Sequence, residues 1–435
     1  MKIAIVGTGY VGLVVGTGFA ESGHWVTCID RDPARIEPLS KGKLPLYEPG
    51  LEELVIRNSE EERLSFTTDL AEGLRAKLLI FVCVNTPTGA DGVPDVSRVF
   101  DAAESIGKAL TGYAIIVLKS TCPVGTTEKV REIIAGLTKH PFDVVANPEF
   151  LREGAAIDDF MRPDRVVVGC EDVRVLEIMR ELYAPFLRTG KPFLGMSIRS
   201  AELTKYAVNV MLAARISLMN ELANIAGAHG ADITEVREAV MADGRLGSTY
   251  MFPGIGFGGS CLPKDVLAAA QMAREKHVPC AVLDGITATN QAQRAAFVRQ
   301  IIEYYGDAIC EKRIALWGAA FKPRTDDIRD APALSVIDGL LDVGAEVVVY
   351  DPVAGANLAA FYGNRVATVP KMYACIDGAD GLAIVTEWRE FNYPDFERMA
   401  SVMREKVIFD GRNLYPPKVM AEHGFRYFSV GRPPV

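Results

Sequence analysis

The sequence predicts an α/β fold with two doubly wound parallel sheets joined by a long central helix and a helical middle domain. A strand, a glycine turn, a helix and a second strand open the chain, and a similar pattern restarts near Arg313. Between them lies a long stretch with helical apolar spacing. A chain of 435 residues is too long for one ordinary core, so we expect Rossmann-like domains at 1–199 and 299–435 around a central domain at 200–298.

Composition indicates a soluble globular protein. Hydrophobic residues make up 49% of the chain and charged residues 24%, which argues against disorder. The net charge is −9 and no block of Lys or Arg occurs, so nucleic acid and acidic membrane surfaces are not expected as partners. Residues 3–20 carry no charge and approach the length of a membrane span. Five glycines interrupt them, and a strand followed by a turn and a helix explains them better.

The cysteines are scattered, without a C-x-x-C pair and without histidines at metal-ligand spacing. We therefore expect no metal site and reduced thiols in a cytoplasmic setting. For any single cysteine, a buried and inert thiol is the ordinary expectation. The eight are Cys28, Cys83, Cys122, Cys170, Cys261, Cys280, Cys310 and Cys375.

The first glycine turn predicts a dinucleotide site. Gly7, Gly9 and Gly12 follow the strand "KIAIV" in G-x-G-x-x-G order, and Asp30 ends the next strand. These glycines permit a tight turn, close approach of a pyrophosphate and close helix packing, while the helix N-terminus offers N–H groups to phosphate. Asp30 would bind the ribose hydroxyls and favour NAD. Arg31 leaves NADP open, because an arginine there can accommodate the 2′-phosphate.

Three further strands, "LLIFVCV", "AIIVLKS" and "DVVAN", end in the polar stretches "NTPTGADG", "STCPVGTT" and "NPEFLREG". Ligands of open α/β sheets bind at the carboxyl ends of the strands. Thr86, Thr121, Glu149 and Glu153 are therefore expected to face the cofactor and its reaction partner. The alternative is that Asn147 and Pro148 only form a turn.

The stretch from Ser200, "SAELTKYAVNVMLAARISLMNELANIAGAHG", predicts one long helix, because it lacks proline and has no glycine before Gly227. Such a helix offers a surface for a homodimer. Lys205 and Asn209 are four residues apart and share a face. A solvated lysine beside an asparagine is the ordinary alternative to a functional pair.

The pattern that restarts near Arg313 lacks the glycine fingerprint, so its ligand should differ from a dinucleotide. Later strands end in "LAIVTEWREF" and "VIFDGRNLYPP" and bring further arginines to the same edge. Candidates for binding a second phosphate-bearing ligand are Lys322, Arg324, Arg329 and Arg412.

The segment "GFGGSCLPKD" holds the strongest candidate for a nucleophile. We expect its glycines to give a large substrate access to Cys261, and an ammonium such as Lys205 or Lys264 to favour the thiolate. A thiol is useful where an aldehyde must be captured and oxidised again. Loss of hydride from the thiohemiacetal gives a thioester, which water then cleaves.

That chemistry needs a donor for the oxyanion and a group that holds the water. Lys205 and Asn209 suit the first role. Asp265, Thr121 and Glu149 suit the second.

These segments together resemble the UDP-glucose/GDP-mannose dehydrogenase family. The resemblance covers nearly the whole chain and its motifs come in the family's order. It is carried by "GTGYVG", "KST", "NPEFLREGAAIDDF", the Lys205 and Asn209 helix, "PGIGFGGSCLPKD", "AFKPRTDDIRDAP" and "VIFDGRN".

The resemblance implies oxidation of UDP-glucose to UDP-glucuronate with two NAD, through a thiohemiacetal and a thioester on Cys261. It assigns the oxyanion to Lys205 and Asn209 and the water to Asp265 and Thr121. Glu149 would support the acid–base steps.

The resemblance also implies a set of ligand contacts. Cofactor contacts would come from Gly7, Gly9, Tyr10, Val11, Gly12, Asp30, Arg35, Thr86, Thr121, Glu153, Lys264 and Arg329. Substrate contacts would come from Glu149, Phe150, Leu151, Arg152, Glu153, Lys205, Asn209, Arg245 of a neighbouring subunit, Tyr250, Met251, Phe252, Pro253, Gly254, Gly258, Lys322 and Arg412.

The sequence leaves open three alternatives for the substrate and the function. "PGIGFGGSC" and "VTEWREF" favour glucose, but GDP-mannose or another UDP-sugar would use the same chemistry. A single-step dehydrogenase of the hydroxyacid type also combines a Rossmann domain with a helical Lys-x-x-x-Asn, although it leaves "GFGGSC" unexplained. A non-catalytic dinucleotide-binding regulator is the third alternative.

Overall fold

The computed structural model describes residues 1–89 and 92–435. Ala90 and Asp91, which belong to the predicted polar stretch "NTPTGADG", lie outside these residues. The chain divides into two compact units, Met1–Val208 and Asn209–Val435. Each unit contains a parallel sheet flanked by helices, so the predicted α/β fold with two such sheets is confirmed. The domain boundaries at 1–199, 200–298 and 299–435 stay a prediction.

The described part of the first unit contains an eight-stranded sheet in the order β3-β2-β1-β4-β5-β6-β7-β8. Neighbouring strands are parallel except β6 and β7, which pair antiparallel. The order reverses beside β1, and ligands of such sheets bind at this switch point. The strands are β1 (Lys2–Val6), β2 (Trp25–Ile29), β3 (Leu64–Thr67), β4 (Leu79–Val82), β5 (Ala114–Leu118), β6 (Phe142–Ala146), β7 (Val166–Gly169) and β8 (Phe193–Met196).

Helices of the first unit cover both faces of this sheet. Alternate residues of β1 point to opposite faces: Ile3 and Ile5 join one buried cluster, and Ala4 and Val6 join another. The helices are α1 (Tyr10–Glu21), α2 (Pro33–Leu39), α3 (Leu51–Glu60), α4 (Leu70–Leu74), α5 (Ser97–Ala109), α6 (Thr126–Ala135), α7 (Ala156–Met161) and α8 (Val173–Tyr183), with a 3-10 turn at Ala184–Leu187.

The predicted long helix is present as α9 (Ile198–Ala228), which has 31 residues. The division between the two units falls within it, because the first unit ends at Val208. Three helices of the second unit follow it in the chain: α10 (Ile233–Ala242), α11 (Leu262–Glu275) and α12 (Ala281–Tyr305).

The second unit contains a six-stranded parallel sheet in the order β11-β10-β9-β12-β13-β14. Trp317 is fully buried in this unit and stacks on Phe391 at 5.1 Å between ring centroids. The strands are β9 (Arg313–Trp317), β10 (Glu346–Tyr350), β11 (Ala367–Thr368), β12 (Gly381–Ile384), β13 (Val407–Asp410) and β14 (Arg426–Ser429). The helices are α13 (Pro332–Asp342), α14 (Gly355–Tyr362), α15 (Met372–Ile376), α16 (Phe396–Val402) and α17 (Pro417–Glu422), with 3-10 turns at Gly306–Glu311, Gly363–Arg365 and Arg389–Phe391.

Candidate active site

The glycine turn between β1 and α1 has the geometry that a dinucleotide requires. Gly7 adopts φ +99°, a conformation that side chains disfavour, and a Cβ on it would lie 2.9 Å from the carbonyl oxygen of Cys83. A Cβ on Gly12 would overlap the carbonyl oxygen of Gly7. Gly9 is the N-cap of α1 and brings no side-chain acceptor to the first turn. The helix N-terminus is therefore available to phosphate, and the turn fits NAD.

Asp30 directly follows β2 and lies beside this turn. Its carboxylate accepts hydrogen bonds from the backbone N–H of Thr8 at 2.9 Å and from the Thr8 hydroxyl at 3.0 Å. The second oxygen accepts from the backbone N–H of Asp32 at 3.1 Å. A carboxylate has about four acceptor positions, so one remains for a ribose hydroxyl. The fixed carboxylate suits the predicted recognition of NAD.

Glu48 was missed by the sequence analysis although it connects the glycine turn with the segment 151–156. Its buried carboxylate accepts hydrogen bonds from the Tyr10 hydroxyl, from Gly154 N at 2.6 Å and from Ala156 N at 2.8 Å. These donors are 38, 106 and 108 residues away in sequence, so no local pattern marks Glu48. Burial raises the pKa of the Tyr10 hydroxyl far above its usual range, so the phenol stays a donor.

Two predicted residues of neighbouring strand ends meet directly. Thr86 follows β4 and Thr121 follows β5, and the Thr86 hydroxyl donates to the carbonyl oxygen of Thr121 at 2.9 Å. Ser120 donates to the carbonyl of Val84 at 2.6 Å beside them. The carboxyl ends of β4 and β5 are thus joined, as the topology predicts.

Glu149 and Lys205 form a buried ion pair in the first unit. The Lys205 ammonium donates to Glu149 at 2.9 Å, and the side chains of Lys205 and Glu149 are 5% and 8% exposed. Burial alone would raise the pKa of Glu149, but the Lys205 ammonium and the N–H of Leu151 outweigh it and lower the pKa. Glu149 is therefore a carboxylate that holds the Lys205 ammonium in place.

Phe150 lies against two cations. Arg165 stacks over its ring at 3.7 Å, and the Lys205 ammonium lies 5.5 Å from the ring centroid. Phe150 and Leu151, predicted to contact substrate, also pack partly buried against the sheet. The polar stretch after β6 is thus an ordered support for Glu149 and not only a turn.

A second cluster lies within the second unit. Asn209 on α9 donates from its carboxamide to Asp265 at 2.6 Å, and the Lys264 ammonium donates to the other oxygen of Asp265 at 2.6 Å. Asp265 is 1% exposed and Lys264 is 14% exposed at the side chain. Lys264, predicted as a cofactor contact, is thus engaged with Asp265.

Cys261 is the N-cap of α11 and its side chain is exposed. Its sulfur lies 3.5 Å from the Ser260 hydroxyl, and its carbonyl oxygen accepts from Asp265 N at 2.9 Å. The positive end of a helix favours negative charge on a thiol at this position. Cys261 and the Asn209–Asp265–Lys264 cluster are therefore one helical turn apart in the second unit.

The glycines before Cys261 are also needed for the protein's own packing, and their role in giving substrate access stays a prediction. A Cβ on Gly258 would overlap the carbonyl oxygen of Asp330. Gly259 adopts φ +88°, and a Cβ on it would lie 2.7 Å from the Phe321 ring. Any added side chain would push this segment away from the loop before α13.

Arg412 lies where the sequence predicted it, after β13. Its guanidinium donates to Val385 O at 2.9 Å and to Gly256 O at 3.3 Å, and it pairs with Glu387 at 3.2 Å. A Cβ on Gly254 would lie 3.2 Å from its Nη1 atom. The structure therefore brings Arg412 and the predicted substrate segment at 250–254 together within the second unit.

The remainder of that segment is held by Arg237. This guanidinium donates to Met251 O at 2.8 Å and stacks on Phe252 at 3.8 Å. Phe252 is 64% exposed, Met251 is buried, and Tyr250 adopts the left-handed φ of +60°. Pro253 is also buried.

Four predicted arginines form ion pairs with nearby carboxylates. In the structure each guanidinium is oriented by an aspartate of its own segment. The pairs are Arg35 with Asp32, Arg152 with Asp159, Arg245 with Asp243 and Arg329 with Asp327. Of the remaining candidates, Val11 packs partly buried against the first sheet, Glu153 is half-buried, and the Lys322 ammonium lies 5.6 Å from the Phe321 ring.

The second glycine turn, at Gly318 after β9, differs from the first. Asp351 follows β10 as Asp30 follows β2, but it accepts from both Ala319 N at 2.7 Å and Ala320 N at 3.1 Å, and from Trp388 at 3.0 Å. It also accepts two N–H groups of its own loop. Its acceptor positions are therefore filled by protein, which fits the expectation that this sheet does not bind a dinucleotide.

Neither a metal cluster nor a membrane-crossing helix occurs in the described ranges 1–89 and 92–435. No group of three or more His, Cys, Asp or Glu side chains is arranged to hold a metal ion there. Among the helices in those ranges, none is both long and apolar enough to cross a membrane.

The fold and these side chains define an NAD-dependent oxidoreductase that combines an exposed thiol with buried acid, amide and ammonium groups. Comparison with known proteins agrees in all parts of the chain. Residues 1–187 match the NAD binding domain of the UDP-glucose/GDP-mannose dehydrogenase family, residues 199–292 its central domain and residues 315–417 its UDP binding domain. The chain belongs to this family and is an NAD-dependent dehydrogenase of nucleotide sugars.

Individual relatives are similar over their full length. The chain is 44% identical to a UDP-glucose 6-dehydrogenase of Pseudomonas aeruginosa, with 100% of this chain and 98% of that one covered. It is 43% identical to a UDP-glucose 6-dehydrogenase of Rhizobium meliloti, with both chains fully covered. Among solved structures, a UDP-glucose dehydrogenase from Pyrobaculum islandicum matches with a TM-score of 0.91 and 36% identity over 99% of this chain and 98% of that one.

Proposed function

We propose that this protein oxidises UDP-glucose to UDP-glucuronate, using two NAD for each sugar. The observation that carries the proposal is the exposed Cys261 thiol at the start of α11, one turn before the buried Asp265. A dehydrogenase that stops at an aldehyde needs no nucleophile, whereas oxidation to a carboxylate uses one. The similarity to the two UDP-glucose 6-dehydrogenases supports glucose as the sugar.

We assign the cofactor to the glycine turn of the first unit, where Gly7, Gly9 and Gly12 would admit the pyrophosphate and Asp30 would take the ribose. The further contacts proposed are Tyr10, Val11, Arg35, Thr86, Thr121, Glu153, Lys264 and Arg329. When bound, NAD accepts a hydride in each of the two oxidation steps. The side chains of the protein supply the rest of the chemistry.

Cys261 is the proposed covalent catalyst. Its thiolate would add to the C6 aldehyde, so that a C–S bond forms, the C=O π bond opens and the oxygen takes a proton from the acid–base group. Loss of hydride from C6 and of that hydroxyl proton would then give a thioester. Lys205 and Asn209 would donate to the oxygen on C6, because each carries an N–H donor in a buried setting. Glu149, held as a carboxylate by Lys205, would accept and return protons.

Water completes the reaction by attacking the thioester carbon. The C–S bond breaks, sulfur leaves as the thiolate, and the water proton passes to a base. We assign Asp265 and Thr121 to hold this water. The buried Asp265 carboxylate, oriented by Asn209 and Lys264, supports that assignment.

The substrate contacts are also proposed from the second unit and from the stretch after β6. Arg412 and Lys322 would bind the diphosphate, because guanidinium and ammonium groups recognise phosphate. The other proposed contacts are residues 149–153, Lys205, Asn209, Tyr250, Met251, Phe252, Pro253, Gly254 and Gly258, with Arg245 of a neighbouring subunit.

The test is an NADH assay of the purified protein against a panel of nucleotide sugars, with the stoichiometry recorded. Near two NADH per UDP-glucose, with UDP-glucuronate as product, is the expected result. Near one NADH would favour the single-step dehydrogenase. Higher activity with GDP-mannose, UDP-galactose or UDP-N-acetylmannosamine would reassign the sugar, and NAD binding without any turnover would favour a regulator.

We further propose a homodimer through the central helix. Met211, Leu218 and Ile225 lie seven residues apart on α9 and are 64%, 59% and 52% exposed. Apolar residues at this spacing form a stripe along one side of a helix, which a second copy of the same helix would cover. These residues support self-association because all three are apolar and exposed on the same side of the helix.

We propose a reducing, cytoplasmic setting for the enzyme. No disulfide joins any of the eight cysteines, all of which lie in the described residues. An exposed catalytic thiol also has to stay reduced to act as a nucleophile.

A further inference from the structure

Glu202 is a buried carboxylate to which neither the sequence analysis nor the proposed mechanism assigns a role. It is 6% exposed and lies on α9, three residues before Lys205. Its oxygens accept from Gly125 N at 2.6 Å, from Thr127 N at 2.8 Å and from the Thr127 hydroxyl at 2.7 Å. The carboxylate thus satisfies the N–H groups at the beginning of α6.

These hydrogen bonds connect two parts of the first unit that carry proposed catalytic groups. The loop from Thr121 to Gly125 leads from β5 to the beginning of α6. Glu202 on α9 accepts a hydrogen bond from Gly125 N at the end of this loop. At the start of the loop, the Thr86 hydroxyl donates to the carbonyl oxygen of Thr121. The loop is therefore held at both ends.

A small cavity lies between this loop and α9. Residues of both the loop and α9 line it, including the proposed water-holding Thr121 and Lys205. The lining residues are Leu118, Ser120, Thr121, Cys122, Thr127, Ala146, Pro148, Glu202 and Lys205. The lining is part polar and part apolar, and the cavity is about large enough for one water molecule.

We propose that Glu202 is a positioning residue for thioester hydrolysis, holding the Thr121 loop at a fixed distance from the Lys205 turn of α9. The inference rests on the proposed function, in which Thr121 orients the water that attacks the acyl carbon. Glu202 does not touch substrate and gains or loses no proton in the step. It acts by keeping the threonine where the water must be held.

Glu202→Gln is the test, because glutamine keeps the size of the side chain but turns one acceptor oxygen into a donor that faces an N–H group. Rapid mixing of the variant with NAD and UDP-glucose should give a normal burst of NADH from both oxidations. Hydrolysis should then be about tenfold to a hundredfold slower, since small displacements of positioned groups cost that much. Mass spectrometry of quenched enzyme should show the acyl adduct accumulating.

Glu128→Gln is the matched control. Glu128 also joins the first turn of α6 to α9, through an ion pair with Arg199 at 2.7 Å, but the two side chains are 32% and 68% exposed. A solvent-exposed pair contributes little, so this variant should retain the parent's hydrolysis rate. If Glu202→Gln gives the same rates and no adduct, the inference is wrong.

Other outcomes separate the inference from the function on which it rests. A parent enzyme that makes no NADH from any nucleotide sugar would overturn the proposed function itself. A Glu202→Gln variant that loses the burst as well would contradict a role confined to hydrolysis. If Glu202→Gln does not fold, Thr127→Val replaces it, because this substitution removes only the hydroxyl donor. Thr127→Val should slow thioester hydrolysis, by a smaller factor than expected for Glu202→Gln. An unchanged hydrolysis rate would overturn the inference.

Discussion

The carboxamide of Asn209 donates a 2.6 Å hydrogen bond to the carboxylate of Asp265, and both side chains are buried. The two residues were predicted separately, one for the oxyanion and the other for water. An amide nitrogen has two hydrogens, so Asp265 occupies one and orients the other. The proposed oxyanion donor and the proposed water-holding group are therefore one hydrogen-bonded unit, completed by Lys264 at 2.6 Å.

Replacing Asp265 with asparagine should stop the second half of the reaction more than the first. The variant keeps the shape of the side chain but loses the carboxylate proposed to hold the water, and it leaves the Lys264 ammonium without that carboxylate. We expect steady-state turnover to fall on the order of a hundredfold, and the free energy of unfolding to fall by about 1–3 kcal/mol. Stopped-flow NADH kinetics and thermal unfolding measure these effects.

The matched control is Asp284→Asn, which breaks a half-exposed ion pair between α12 and Arg274 of α11. It should leave turnover unchanged.

Coupling between Asn209 and Asp265 is tested by a double-mutant cycle of Asn209→Ala and Asp265→Ala, where an interaction energy of about 1 kcal/mol or more is expected for directly bonded groups. If the effects of the two substitutions on free energy were strictly additive, the interpretation of Asn209 and Asp265 as one hydrogen-bonded pair would be contradicted.

Cys261→Ser should abolish steady-state turnover with UDP-glucose. A hydroxyl is a far weaker nucleophile than a thiolate, so we expect a loss on the order of a thousandfold or more while NAD and sugar binding persist. Quenched-flow product analysis should reveal aldehyde or its hemiacetal. Cys310→Ser changes the other exposed cysteine and should retain full activity; parent-like turnover in Cys261→Ser would remove the nucleophile assignment.

Asp30→Ala should weaken NAD more than NADP. The carboxylate binds Thr8 on the protein side and would bind the ribose on the other, whereas a 2′-phosphate is repelled by it. The dissociation constant of NAD is expected to rise about tenfold, with little change for NADP. Arg31→Ala, at an exposed guanidinium paired with Asp101, is the companion variant and should reduce only residual NADP use. An unchanged NAD/NADP ratio in Asp30→Ala would exclude Asp30 as the selective group.

The sequence predicted most strands of the first sheet that are buried on both faces, but it did not predict β7, in which all four residues are buried. In β1, β4 and β5 nearly every residue is buried, so each strand is a plain apolar run. The two edge strands of the first sheet were not predicted either: β3 with the sequence "LSFT" and β8 with half of its residues exposed. Both are short and mixed in polarity, which leaves the local pattern too weak to recognise.

For the site, the sequence predicted residues placed by regular structure or by a motif. Lys205 and Asn209 follow from helical spacing, and Asp30 from the dinucleotide pattern. Glu48 and Glu202 could not be found in this way, because each binds backbone N–H groups that are 75 or more residues away. Such contacts depend on the assembled tertiary structure and leave no periodic signal.

If the protein dimerises through the apolar stripe of α9, a charged substitution in that stripe should lower the mass of the protein in solution from that of a dimer to that of a monomer. Leu218→Asp places a charge in its centre, where burial of an unpaired carboxylate is unfavourable. Analytical ultracentrifugation should show the parent as a dimer and this variant as a monomer at micromolar concentration. Tyr393→Asp, at a side chain that is 94% exposed in the second unit, should remain dimeric. A monomeric parent would contradict the proposal.

Lys119 predicts an unusual pH dependence of stability. Its buried ammonium donates to Asn147 at 3.2 Å and to Tyr183 at 3.3 Å, and both of these acceptors are neutral. Burial lowers its pKa from 10.5 to about 8; Glu149 opposes this shift and Lys205 adds to it. Between these two pH values the unfolded chain holds a proton that the folded protein has lost, so stability rises with pH across this range.

Lys119→Met should therefore stabilise the protein at pH 7, where the parent buries a charged lysine. The expected gain is about 3 kcal/mol, and it should shrink as pH rises from about 8 towards 10.5. Asn147 and Tyr183 keep their mutual 2.6 Å hydrogen bond in the variant, so no polar group is stranded. Thermal unfolding at pH 7 and pH 10 measures the difference, with Lys108→Met at an exposed lysine as the control that should show none. A destabilised variant at pH 7 would mean that the ammonium is compensated in the folded state and that its pKa is not lowered.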